Sequence, residues 1–229
     1  MKITGLIGGM SWESTSLYYT LLNERVNESL GGFHSCNCLI YSVDFASIEK
    51  WQAAGETKLI LNEMHSAVKR LEKAGADLIL LCANTIHQYY DEVQSKTNIP
   101  ILHIADAAGK TIRHKALKKP ALLGTRYTME GDFYAKRLRD LYQLDPVIPS
   151  MEDRQFIHDL IFNELIKGII KEDSRKKLLE IIEKLKLQGA DCAVLACTEI
   201  PLLIRQEHVD LPIIDTTKEH VQAAIKMIL

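Results

Sequence analysis

Short apolar runs alternate along this chain with segments of helical periodicity. The runs are Lys2 to Gly8, Cys38 to Val43, Asp77 to Ala83, Pro100 to Leu102, Pro120 to Gly124, Asp191 to Ala196 and Leu211 to Ile214. Each has the length of a strand. Between Thr57 and Ala74 the apolar residues Leu61, Met64, Ala67, Val68 and Leu71 recur at helical spacing, and Leu178, Ile181, Ile182 and Leu185 do the same between Ser174 and Leu187. Both segments end at a glycine, Gly75 and Gly189, the residue that most readily takes the left-handed conformation closing a helix. Strands alternating with helices predict an α/β fold built around parallel sheets.

The pattern repeats. Leu71 to Asp77 lines up with Leu185 to Asp191, Leu6-Ile7-Gly8 with Leu122-Leu123-Gly124, and Ile99-Pro100-Ile101 with Leu211-Pro212-Ile213. Matches in one order at nearly constant offset predict two similar lobes, each with its own parallel sheet. In open α/β sheets ligands bind beyond the carboxyl ends of the strands. Two facing lobes would therefore form a pseudo-two-fold cleft with the active site inside it. The expected divisions are an N-terminal lobe over residues 1–98, a second lobe over 99–211 and a closing segment over 212–229.

Composition narrows the classes. The chain has 229 residues, 47% hydrophobic and 25% charged, with a formal net charge of −2. This balance lacks the basic footprint of a nucleic-acid or anionic-membrane binder. The apolar runs fall far short of the roughly 20 residues of a membrane span, and without a basic-apolar-small pattern at its start no secretory leader is expected. Five cysteines, Cys36, Cys38, Cys82, Cys192 and Cys197, form no CxxC or Cys/His metal spacing. Reduced thiols in a cytoplasmic protein without metal are the expectation.

Candidate chemistry concentrates after two matched strands, in Cys82-Ala83-Asn84-Thr85-Ile86-His87 and in Ala196-Cys197-Thr198-Glu199-Ile200-Pro201. Each puts a thiol at a strand's end where a helix should begin. A helix N-terminus favours a bound carboxylate and lowers a cysteine's pKa. Cys36, Cys38 and Cys192 read as core residues, and Cys197 as the functional thiol. His87 could serve as a general acid or orient a neighbour. Asn84-Thr85 also reads as a cap. Gly8-Gly9 before Met10 and Ser11 suggests close backbone approach and a helix start, and Trp12 and Trp51 read as packing residues.

These motifs resemble the aspartate racemase branch of the aspartate/glutamate racemase family. GLIGGMSWEST at Gly5 to Thr15, CANTIH at Cys82 to His87, HIADA at His103 to Ala107, LLGTRYTM at Leu122 to Met129 and ACTEI at Ala196 to Ile200 follow in the family's order. The resemblance implies racemisation of an acidic amino acid without pyridoxal phosphate or another cofactor, in a homodimer, with the last helix, Thr216 to Leu229, packed back on the first lobe. It implies two cysteines flanking the substrate α-carbon, one from each lobe. Here the first of those positions is Ala83, and the repeat agrees, since Cys197 falls opposite Ala83 while Cys82 falls opposite Ala196. Adjacent strand residues point to opposite faces, so Cys82 should turn away from the cleft and leave Cys197 as the principal acid/base, with Thr85 or His87 as substitutes for the missing thiol. The resemblance further implies substrate contacts from Met10, Gln52 (in the loop after the second strand), Ala83, Asn84, Thr85, Thr125, Thr128, Thr198, Glu199 and Lys167. No arginine lies between Asp44 and Gly55. The alternatives are a broad-specificity or one-base isomerase or decarboxylase of the same superfamily, and a degenerate amino-acid-binding protein.

Overall fold

The computed structural model describes residues 1–229. The chain forms two compact units, Met1–His103 with His220–Leu229, and Ile104–Glu219. The first holds a parallel sheet of β1 (Thr4–Gly8), β2 (Cys38–Ser42), β3 (Leu78–Leu81) and β4 (Ile101–Leu102) in the order β2-β1-β3-β4. Its helices are α1 (Trp12–Leu30), α2 (Phe45–Ala53), α3 (Thr57–Lys73) and α4 (Tyr90–Gln94). Alternation along β1 and β3 sorts the core into two layers. Ile7, Ile79 and Leu81 pack with Met64, Ala67, Val68 and Leu71 of α3, while Leu6, Leu78 and Leu80 pack with Tyr18, Leu22 and Val26 of α1. The buried stripe of α3 starts at Ile60, not Leu61, which is only partly buried.

The second unit repeats the plan. Its sheet has the order β5-β6-β7, from Pro120–Gly124, Cys192–Ala196 and Ile213–Asp215, all parallel. The helices are α5 (Ile104–His114), α6 (Arg126–Glu130), α7 (Asp132–Tyr142), α8 (Met151–Asn163), α9 (Glu172–Leu187) and α10 (Ile200–Leu203). A single parallel bridge from Ala121 to Val147 takes the place beside β5 that β2 holds beside β1. Leu178, Ile181, Ile182 and Leu185 of α9 are buried against Leu123 and Leu195, each worth about 1.5–3 kcal/mol relative to exposure. Gly75 and Gly189 follow the ends of α3 and α9 with φ of 88° and 93°.

Strand register reproduces the sequence repeat. Leu6 pairs with Leu80 and Leu80 with Leu102, and Leu122 pairs with Val194 and Val194 with Ile214. These equivalent rows differ by 116, 114 and 112 positions, the same offsets that align the sequence.

The divisions differ from those expected. Ile101 and Leu102 pair with Ile79 and Leu80, so the first unit runs on through His103. Ile213 to Asp215 pair with β6, so the second unit keeps residues up to Glu219. Helix α11 (Thr216–Ile228) then carries the chain back to the first unit, where Val221, Ala224, Ile225 and Ile228 pack with Leu6 and Tyr18. No helix is long and apolar enough to cross a membrane.

Candidate active site

The first turn is set by the alternation of β3. Cys82 follows Leu78 and Leu80 into the core shared by α1 and α11, where its thiol lies 3.9 Å from the Leu80 carbonyl and burial pushes its pKa up. Ala83 falls on the other layer, with Ile79 and Leu81. The expected α-helix does not begin here. Thr85–Tyr89 forms a 3₁₀ turn that leads into five-residue α4, and the Asn84 side chain makes no cap bond. His87 Nδ1 lies 2.9 Å from the Ala83 carbonyl, and its backbone N–H donates to Asn84 O at 3.1 Å. Buried His87 thus supports the turn's backbone, and half-buried Thr85 opens the 3₁₀ segment.

The loop after β1 makes the close approach that Gly8-Gly9 suggests. Val43 N donates to Gly8 O at 3.0 Å, and Gly9, at φ 89°, leaves no room for a Cβ, which would sit 2.2 Å from Val43 O. Gly9 N donates to Thr15 Oγ1 at 2.8 Å, and Ser11 caps α1 by accepting from Ser14 N. Met10 is buried between them, in the layer that also packs Ala83. Trp12, in contrast, is 70% exposed and does not pack as expected, because it starts α1 on the solvent side, whereas Trp51 packs on the α3 layer. Gln52 sits in α2 rather than in a loop. Its buried amide nitrogen has no acceptor, and neither has that of Gln88. Nothing in the sequence singled out Gln88.

The second turn follows β6. Cys197 continues the layer of Ala193 and Leu195, as Ala83 continues that of Ile79 and Leu81. Its side chain is 8% exposed, and its Sγ donates to Glu199 Oε2 at 2.9 Å. Thr198 Oγ1 donates to the same oxygen at 2.7 Å. The expected thiolate-favouring helix end is absent, since α10 has only four residues. Burial, then the charge and hydrogen bond of Glu199, raise the thiol pKa well above its ordinary value, against a smaller pull from the Glu199 and Ile200 N–H groups. The resting group is a protonated thiol with an acceptor in contact.

The remaining candidates divide. Thr125 caps α6, accepting from Thr128 N at 3.3 Å with the two hydroxyls 3.2 Å apart. That pair therefore has a structural task at the end of β5. Lys167 lies exposed in a 3₁₀ turn over Leu165–Lys167.

The profile of the Asp/Glu/Hydantoin racemase family matches residues 7–224. The chain belongs to this family. Among curated relatives, the broad specificity amino-acid racemase RacX of Bacillus subtilis is 30% identical over 218 residues, covering 93% of this chain and 92% of RacX. Among solved structures, an aspartate racemase homologue from Pyrococcus horikoshii OT3 is 34% identical over 99% of both chains, with a TM-score of 0.86. A Yersinia pestis protein is 42% identical over 99% of both chains, with a TM-score of 0.94. The two parallel sheets flanked by helices are thus the racemase-family fold, and the Cys197 turn of this family member lies within the matched residues.

Proposed function

We propose that this chain interconverts the enantiomers of an amino acid, aspartate or glutamate foremost, without pyridoxal phosphate, and that Cys197 is its principal acid/base. The carrying observation is the 2.9 Å contact between Cys197 Sγ and Glu199 Oε2 in a buried turn. It gives the thiol proton a destination. The proton moves to Glu199, and the thiolate takes the substrate α-proton. The released electron pair passes into the substrate carboxylate, water delivers a proton to the opposite face of the α-carbon, and Glu199 gives its proton to the hydroxide left behind, which restores the starting protonation. A positioned acid/base of this kind contributes roughly 10²–10⁴-fold. Asn84, Thr85 and Thr198 would hold the α-carboxylate, with Met10 and Ala83 against the substrate. The orphan amide of Gln52 suits a side-chain carboxylate. A homodimer and a cytoplasmic, reducing setting belong to the same proposal.

Ala83 favours a second reading. Its methyl group carries no proton, and the Nδ1 of His87 is engaged by the turn. Exchange would then run from the Cys197 face alone, as in a one-base isomerase or decarboxylase, with Thr85 or water serving the other face weakly. The RacX match supports a wider amino-acid panel, and the Pyrococcus match an acidic one.

The test is incubation of reduced protein in D₂O with L- and D-aspartate, L- and D-glutamate and a neutral panel. Proton NMR follows the α-hydrogen and chiral chromatography the product. Exchange with inversion, lost by about 10²-fold or more in Cys197→Ser, supports the racemase. Exchange of one enantiomer with retention supports the one-base site. Undiminished exchange in Cys197→Ser, or none with any amino acid in the native protein, removes the proposal.

A further inference from the structure

The first-unit turn contributes to a cluster of three histidines and two tyrosines. His87 lies within the 3₁₀ turn, His103 follows β4, His220 lies on α11, Tyr18 on α1, and Tyr90 opens α4. The rings meet in succession. Tyr90 and His103 have centroids 4.8 Å apart, His103 and His87 4.8 Å, His87 and His220 5.7 Å, and His220 and Tyr18 5.7 Å. His87, His103, His220 and Tyr18 are all buried.

Their hydrogen bonds fix where protons reside, because a carbonyl oxygen only accepts. His220 Nε2 lies 2.9 Å from Leu102 O and therefore carries a proton. Burial, and secondarily the nearby His87, hold its pKa down to about 3, so the ring is neutral and its Nδ1 is an acceptor. The Tyr18 hydroxyl, 2.8 Å away, donates to it. His87 has the opposite arrangement, with its proton on Nδ1, 2.9 Å from Ala83 O. A 3₁₀ turn of five residues has poor internal hydrogen-bond geometry, so its shape depends on side-chain bonds as well. His87, within it, makes such a bond to the Ala83 carbonyl, and its ring is in contact with those of His103 and His220.

We infer that Tyr18 and His220 are positioning residues for the Ala83–Thr85 turn. Held between Tyr18 and Leu102, His220 sets the His87 ring so that Nδ1–H meets the Ala83 carbonyl. The last helix thereby fixes the turn whose Asn84 and Thr85 are proposed above to hold the substrate carboxylate. The inference rests on that reading for the turn's role, but not for its geometry.

Imidazole ¹⁵N NMR on the native protein and on Tyr18→Phe tests it, with Tyr41→Phe as a matched loss of a tyrosine hydroxyl (3.0 Å from Glu63 Oε1) outside the cluster. In the native protein His87 should be the Nδ1–H tautomer and His220 the Nε2–H tautomer. Tyr18→Phe should move the resonances of both rings and lower α-proton exchange at saturating substrate about tenfold, the scale of a slight misplacement. Tyr41→Phe should move neither. His87 protonated on Nε2 in the native protein overturns the inference, and that spectrum decides it even if Tyr18→Phe does not fold. So does a Tyr18→Phe protein in which only His220 responds and exchange is unchanged. Should the native protein exchange no amino acid, the functional reading fails while the coupling of Tyr18 to His87 is still decided by the spectra.

Discussion

Cys197 is a thiol that its surroundings keep protonated, and the neighbour that raises its pKa is also the one able to take its proton. Burial is the first cause and the Glu199 charge the second. Replacing Glu199 with Gln removes the charge, so the thiol pKa should fall and thiolate absorbance in the ultraviolet should rise at lower pH than in the native protein. Proton transfer should suffer at the same time, with α-proton exchange down about 10²–10⁴-fold. An unshifted thiol titration would contradict the assigned role of Glu199. Much of this residue's importance was legible beforehand, because the repeat places Cys197 opposite Ala83 and the period of two sends Cys82 to the other layer. The role of Glu199 was not. Two residues along a chain carry no distance, and only the bend after Ala196 brings the carboxylate to the sulfur. Gln88 and exposed Trp12 were equally hidden, since residue type alone does not tell which way a helix start faces.

At the scale of elements, the strands were the most legible part. Each apolar run but the last contains its strand, because short continuous apolarity leaves few alternatives. The last, Leu211 to Ile214, stops one residue short of the end of β7 at Asp215. The segments after β3 and β6 carry helix-start signals but form a 3₁₀ turn and a single short helix. Asn, Thr and Glu after an apolar run carry a capping signal, but the propagation that makes a helix depends on an apolar stripe, and here His87 and the Cys197–Glu199 contact dominate instead. Gly9 is the element-scale feature most open to test. A methyl group there meets the Val43 carbonyl at 2.2 Å, in a backbone conformation with φ 89°. Gly9→Ala should therefore destabilise the first unit by about 2–4 kcal/mol, read as a lower urea midpoint. A midpoint within about 0.5 kcal/mol of the native protein would mean that the β1–α1 loop shifts without cost.

Over the whole chain, the repeat in sequence and the repeat in register are one fact. Three strands of each sheet keep the offsets 116, 114 and 112, and insertions fall between them, as in the α7 and α8 region where a single bridge at Val147 replaces a strand. The chain's return through α11 was suggested only by the family resemblance, because a helix stripe does not name the layer it packs on. That return sets a pH dependence for the fold. His220 stays neutral when folded, with a pKa near 3, against 6.5 for an unperturbed histidine. Above pH 6.5 the group is neutral in both states and contributes no slope. Below it the unfolded chain binds a proton that the folded protein refuses, so stability falls by about 1.4 kcal/mol per pH unit until the folded pKa is reached. Between pH 7 and pH 5 the native protein should lose about 2 kcal/mol more than His220→Gln, which lacks the group. Carboxylates held low by partners, such as Asp153 beside Lys184, lose stability in acid equally in both proteins and cancel in the difference. Urea titrations at the two pH values measure it. Parallel losses would mean that His220 takes up its proton inside the fold, and that the bonds to Tyr18 and Leu102 do not keep the last helix's histidine neutral.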